Sequence, residues 1–366
     1  MKDKTIRLAR NGINDLNEYT PGKPIEEVQR EYGLDEIIKM ASNENPFGPS
    51  PKAIEAMTKA INDVNLYPES SSLMLRQKIA GNFGIHEDMV TLANGADNIL
   101  GLIAQATVNE GDEIVMGDPT FAAYDTRTRI MGGIPVKVPL KNFTYDLPAV
   151  AKKITSKTKL VFVCNPNNPT GTIVTREEVE DFMNSVPQEC IVVFDEAYAE
   201  FVHPNIYPQT IKYIQDQRNV IMVRTFSKLF GLAGLRVGYA VGPKHLISML
   251  RKVVEPFPVN RLAQSGALAA FDDHAFLNRV LTENEKGKEF LYQQFSKMKM
   301  AYCPSHTNFI FVDLGMDGQF VFEKLLEQGI IIRPGGLWNY PQFARITIGT
   351  SDQNEKLIEA LNIIAG

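Results

Sequence analysis

Thr225-Phe226-Ser227-Lys228-Leu229-Phe230-Gly231-Leu232-Ala233-Gly234-Leu235-Arg236-Val237-Gly238-Tyr239 is the stretch on which the fold and the chemistry turn. A short apolar run, Val220-Ile221-Met222-Val223, leads into it, and a second, from Val237 to Val241, leads out. Between them stand small hydroxyl residues, one lysine, glycines, and an arginine eight residues after the lysine. A lysine held between a buried strand and a glycine-rich turn is poorly solvated. Burial lowers its pKa, and a neutral amine can attack a carbonyl. Thr225, Ser227 and Arg236 add two hydroxyls and a fork of N–H donors, a set suited to a phosphate. An amine nucleophile beside a phosphate cradle points to a phosphorylated aldehyde cofactor, and pyridoxal 5′-phosphate (PLP) fits that description. A surface lysine in a βα turn satisfies the same spacing, so the rest of the chain has to decide.

The 366 residues allow one large and one smaller domain, or two of ordinary size. With 44% hydrophobic and 22% charged residues the composition is that of a globular protein and argues against disorder. The net charge is −5 with no basic block, so nucleic acid is not an expected partner. No apolar run approaches the ~20 residues of a membrane span, and no membrane association is expected. Met1-Lys2-Asp3-Lys4 has no apolar run behind it, so no secretory signal is expected either. Cys164, Cys190 and Cys303 are odd in number and widely spaced, which suggests reduced thiols in a cytoplasmic protein. The five histidines lack ligand spacing, so no metal site is expected.

Outward from the lysine stretch the chain alternates. Apolar runs at 90–92, 113–116, 135–139, 160–164, 191–194, 220–223 and 237–241 read as strands. Helices are predicted over 51–61, 73–83, from 97 to about 108, 120–131, 147–154 and 177–185. Continuous apolar strands alternating with helices predict an α/β fold with a mostly parallel seven-stranded sheet covered on both faces. In such sheets ligands sit at the carboxyl ends of strands, where Gly95, Asn168, Asp195 and Lys228 all fall. Beyond Pro258 the pattern changes. Helices at 261–271, 276–298, 321–328 and 354–364, with strands at 308–312, 330–333 and 345–349, predict a smaller α+β domain. The expected division is a large cofactor-binding domain at 36–260, with an N-terminal arm (1–35) and a small C-terminal domain (261–366).

Two strand ends carry further chemistry. Asn94-Gly95-Ala96-Asp97 opens a helix whose unpaired N–H groups and dipole favour an anion. A plain N-cap by Asn94 or Asp97 is the alternative. Asp195 closes a run of four apolar residues, where a carboxylate is costly unless paired. A protonated pyridine nitrogen would pair it and make the ring an electron sink. Tyr198 and Asn168 could bond the cofactor's phenolic oxygen, and Phe121 could stack on its ring. Read singly, Asp195 could instead be a cap and Phe121 an ordinary core aromatic.

Five motifs together resemble the fold type I PLP-dependent aminotransferases of class I and II. They are Ser42-Asn43-Glu44-Asn45-Pro46, Asn167-Asn168-Pro169-Thr170-Gly171, Asp195-Glu196-Ala197-Tyr198, Thr225-Phe226-Ser227-Lys228 and Gly234-Leu235-Arg236-Val237-Gly238-Tyr239. Tyr19 to Lys23, Leu66-Tyr67-Pro68, Gly95-Ala96-Asp97 and Arg345-Ile346-Thr347-Ile348-Gly349 resemble the histidinol-phosphate aminotransferase subfamily. The resemblance spans essentially the whole chain. It implies that Lys228 bonds the cofactor's aldehyde and shuttles a proton, and that Asp195 pairs with the pyridine nitrogen. It implies that Asn168 and Tyr198 hold the phenolic oxygen. Ala96, Asp97, Thr225, Ser227 and Arg236 would hold the phosphate, with Tyr67 reaching across from the other subunit of a homodimer. Tyr19, Asn45, Arg333 and Arg345 would meet the substrate. The implied activity is transamination between L-histidinol phosphate and 2-oxoglutarate in histidine biosynthesis. An aromatic amino acid aminotransferase and a PLP-dependent decarboxylase of a phosphorylated amino acid remain open within the same fold. Phe121 stands where many relatives carry tyrosine, which keeps stacking and loses a hydroxyl. A dehydrogenase is disfavoured, because no Gly-x-Gly-x-x-Gly follows an early strand.

Overall fold

The computed structural model describes residues 10–14, 16, 18 and 22–365. Twelve strands are assigned among them: β1 (Ile38–Lys39), β2 (Val90–Ala93), β3 (Glu113–Asp118), β4 (Ile134–Pro139), β5 (Thr158–Cys164), β6 (Ile191–Asp195), β7 (Val220–Thr225), β8 (Gly238–Val241), β9 (Phe309–Asp313), β10 (Ile330–Ile331), β11 (Arg333–Pro334) and β12 (Phe343–Thr347). Seven of them form one sheet in the order β2-β8-β7-β6-β5-β3-β4. Strands β3 to β7 pair in parallel, and β8 is antiparallel to both β7 and β2. One strand therefore runs against six. The central strands β5, β6 and β7 are almost wholly buried, as their unbroken Val, Ile, Leu and Phe runs require.

The expected single strand at 330–333 is divided. Ile330 and Ile331 pair in parallel with Ile38 and Lys39, whereas Arg333 and Pro334 pair antiparallel with Arg345 and Ala344. The chain changes partner at Ile332, so four residues that look like one element serve two sheets. Strands β11, β12 and β9 make the small antiparallel sheet. The helices Thr210–Gln215 and Lys244–Val253 join the ones read from the sequence.

Two main cores result. The larger packs β2 to β8 with the flanking helices and extends through Ala263, Ala267, Phe276, Leu277 and Val280. The second gathers Ile38, Met40, Leu291, Phe295, Ile310, Val312, Ile346 and Leu357. Helix His274–Lys297 places its first half in one and its second half in the other. We propose it as the rigid joint between the large and small domains. Among the described residues no helix is long and apolar enough to cross a membrane.

Candidate active site

The parallel strands end at one rim of the large sheet, and β8, running the other way, begins there. Gly238, its first residue, lies opposite both Ala93 of β2 and Thr225 of β7. Arg236, two residues upstream, is thereby brought to the same rim as Gly95. Its guanidinium lies hard against Gly95: a Cβ added there would stand 2.6 Å from Arg236 Nη2. Gly95 also has φ 86, a backbone conformation that only glycine adopts readily. Helix Ala96–Thr107 starts without a side-chain cap. The simple capping reading of Asn94 and Asp97 therefore does not hold, and the first-turn N–H groups remain to be met by an anion. The Asp97 carboxylate is engaged by Arg127 at 2.8 Å, so what Asp97 offers an anion is its backbone. Thr225 Oγ1 accepts from Ser227 N–H at 3.1 Å, and both side chains are buried. A bare helix start, an arginine and two hydroxyls make a cradle that fits a phosphate.

Lys228 is half-buried, and its Nζ donates to Ser42 O at 3.1 Å. The Nζ lies 5.7 Å from the centre of the Tyr198 ring. Burial, with Arg345 and Arg236 adding to it, brings its pKa down to about 8 against the opposing pull of Glu44 and Asp195. Part of the amine is therefore neutral near physiological pH, as a nucleophile requires.

Asp195 and Glu196 are adjacent, buried and differently partnered. Glu196 accepts from Arg224 at 2.6 and 2.9 Å, and Arg224 also reaches Glu200 at 3.2 Å. Asp195 accepts from the Tyr124 hydroxyl at 2.7 Å and from Ala197 N–H at 3.2 Å. Among the described residues no basic side chain forms an ion pair with it. Burial pushes its carboxyl up to about 6, although the Tyr124 and Ala197 donors pull it down. A buried carboxylate lacking a cation is the group a pyridinium would complement. The rim thus holds, in order, an anion cradle, an amine of lowered pKa and an uncompensated carboxylate. That set fits PLP.

Tyr198 is buried, and its pKa is raised to about 12, chiefly by burial. Its oxygen accepts from Asn43 Nδ2 at 2.9 Å, so its own proton is left to donate. Asn168 Oδ1 accepts from Arg345 Nη1 at 2.6 Å, which leaves Asn168 Nδ2 as the donor it can give a ligand. Arg345 also donates to Ala41 O at 2.6 Å and lies over the rings of Phe309 and Trp338. Arg333 is the direct cross-strand partner of Arg345, so both side chains leave the same face of the small sheet.

The remaining expected residues are placed as follows. Phe121 is half-buried with its ring edge-on to Tyr124 at 5.8 Å. Asn45 Nδ2 donates to Leu229 O at 2.8 Å and so ties the Ser42–Pro46 loop to the residue after Lys228. Tyr67 is 78% exposed, with its ring stacked on Phe257 at 4.4 Å. Tyr19 lies outside the described residues. The sequence reading missed Tyr124 and Asn43. Tyr124 stands one helical turn after Phe121, a spacing that brings both to one face. Asn43 sits at φ 56, which asparagine tolerates better than most residues, inside a motif already noted.

Residues 35–361 match the family described as "Aminotransferase class I and II". The chain belongs to the class I and II aminotransferases. This aminotransferase is 47% identical over 361 residues to the histidinol-phosphate aminotransferase of Moorella thermoacetica, covering 98% of this chain and 94% of that one. It is 46% identical over 346 residues to the histidinol-phosphate aminotransferase of Brevibacillus brevis, covering 94% and 95% of the two chains. Among solved structures, histidinol-phosphate aminotransferase from Sinorhizobium meliloti in complex with pyridoxal-5′-phosphate superposes with a TM-score of 0.89 at 28% identity, covering 97% of this chain and 96% of that one. The α/β architecture with a mostly parallel seven-stranded sheet is thus that of the fold type I aminotransferases.

Proposed function

We propose that this aminotransferase binds PLP and interconverts L-histidinol phosphate and 2-oxoglutarate with 3-(imidazol-4-yl)-2-oxopropyl phosphate and L-glutamate, as a cytoplasmic enzyme of histidine biosynthesis. Bound PLP supplies an electron sink for the carbon that loses its proton. Asp195 would hold the ring nitrogen protonated, Tyr198 and Asn168 would donate to the phenolic oxygen, and Phe121 would cover a ring face. Arg236, Ser227, Thr225 and the start of helix Ala96–Thr107 would hold the phosphate. Lys228 would hold the aldehyde end and is the base that takes and returns the substrate proton.

The observation that carries the choice of substrate is the pairing of Arg333 with Arg345 on one sheet face. One guanidinium suffices for an α-carboxylate, whereas a phosphate has charge and oxygens for two. The names of the relatives favour the same substrate. The reading includes a homodimer. Tyr67, Val64, Leu66 and Phe257 are exposed apolar side chains around a groove of about 510 Å³ at a distance in sequence from Lys228. A second copy would cover this surface and bring Tyr67 to its neighbour's phosphate cradle. Three buried thiols support the cytoplasmic location.

A substrate panel at fixed 2-oxoglutarate tests the assignment. Histidinol phosphate should have the higher kcat/KM than phenylalanine. Arg333→Ala should impair histidinol phosphate more, by about 1.5–3 kcal/mol in transition-state stabilisation, because a charged hydrogen bond is lost. Arg345→Ala should impair both. Equal losses in Arg333→Ala, or a wild type that prefers phenylalanine, would make the enzyme an aromatic aminotransferase.

A further inference from the structure

Lys141-Asn142-Phe143-Thr144 closes a small hairpin, with Lys141 N–H donating to Thr144 O at 2.9 Å and Thr144 N–H to Lys141 O at 3.0 Å. Its central residues have φ 50 and 63. Positive φ at both is the pattern of a type I′ turn, in which Asn-Gly is a favoured dipeptide. Asn142 suits it. Phe143 stands where glycine belongs, and its side chain makes that backbone unfavourable.

The ring of Phe143 shows what holds it there. Its centre lies 5.4 Å from that of Tyr340, 5.5 Å from Phe343 and 6.0 Å from Phe311. These three belong to the small sheet and the segment entering β12, whereas Phe143 lies between β4 and β5 of the large sheet. Its backbone is tied as well: Phe143 O accepts from Thr172 Oγ1 at 2.7 Å, four residues beyond Asn168. Thr172 in turn meets Thr170, which accepts from Asn167. The socket adjoins the arginines. Phe311 is the direct cross-strand partner of Arg345, and Phe343 precedes Arg345 by two positions on the same face.

We infer that Phe143 is a positioning residue, an aromatic latch that fixes the arginine-bearing face of the small sheet against the Asn168 loop. The latch sets the affinity for the substrate's anionic end without touching it. The role in affinity rests on the assignment of Arg333 and Arg345 to that end.

The test compares Phe143→Gly and Phe143→Tyr in the PLP-loaded enzyme. Glycine removes the ring and suits the turn, so the hairpin itself survives. In Phe143→Gly, amide hydrogen exchange without substrate should quicken in Phe309–Asp313 and Phe343–Thr347. The KM for histidinol phosphate should rise roughly tenfold, with kcat changed by less than about threefold and PLP affinity, from absorbance titration, unchanged. Phe143→Tyr keeps the ring and should restore the wild-type KM. Unchanged exchange overturns the latch. Quicker exchange with unchanged KM overturns the positioning role, as does an equal loss of PLP affinity or a tyrosine variant as impaired as the glycine one. Arg345→Ala, run alongside, separates the two levels: a KM unaffected there overturns the arginine assignment, whereas the exchange rates judge the latch with no substrate present.

Discussion

Asp195 is bonded by Tyr124 and Ala197, while its neighbour Glu196 takes the nearby arginine. Its pKa near 6 lies above the ordinary carboxylate value, so between about pH 4 and 6 the folded state binds a proton that the unfolded state has released. Stability of the cofactor-free protein should therefore fall as pH rises through that window and level off above it. Asp195→Asn cannot ionise and should lack this slope. Urea unfolding at stepped pH should show wild type losing about 1–3 kcal/mol relative to the variant between pH 4 and 6. Parallel curves would mean that Asp195 ionises at the usual pH. Lys228 has the opposite shift. Its amine is the one that borohydride reduction should fix to PLP, and Lys228→Ala should fold yet lose transamination. A reduced label mapped to another lysine would end that assignment.

At the scale of elements, the antiparallel strand β8 does what no parallel strand could. Its amino end lies at the rim where the others finish, and so Arg236 arrives beside Gly95. Gly95→Ala strains a φ of 86 and sets a methyl 2.6 Å from Arg236 Nη2. The guanidinium must move, and PLP affinity should weaken by about 1.5–3 kcal/mol, the worth of a charged hydrogen bond. Absorbance titration measures it, and an unchanged affinity would place the phosphate elsewhere. The elements themselves were unevenly legible. Strands β5, β6 and β7 announce themselves as buried apolar runs. The two-residue strand β1 does not, because two residues carry no periodicity. Helix Ile25–Tyr32 ends at Gly33, whose φ of 68 is the left-handed stop glycine favours.

For the whole molecule, the exposed apolar surface around Tyr67 and Phe257 argues for a dimer whose sites share residues. Mixing Lys228→Ala with an inactive Tyr67 variant should restore part of the activity through hybrid dimers. A fully active monomer, weighed by light scattering at assay concentration, would count against it. Asp195 ends a strand of the large sheet and Lys228 follows another, whereas Arg333 and Arg345 stand on the small sheet, so on the proposed assignment one substrate would have to reach both.

The sequence by itself determined the alternation of strands and helices, the lysine between its hydroxyls and arginine, and the residues at the strand ends. These are local properties, set by apolar periodicity and by which side chains can carry the chemistry. Only the tertiary structure decided the partners. Asn167 and Asn168 are neighbours in one motif, yet Asn167 bonds Thr120, Pro119 and Thr170 while Asn168 meets Arg345 from 177 positions away. Tyr124 became a ligand of Asp195, and Phe143 a contact of the small sheet, across separations of 71 and more residues. Such pairings depend on how strands are ordered and on how two cores meet. Those are fixed by packing between distant segments, which leaves no periodic trace along the chain.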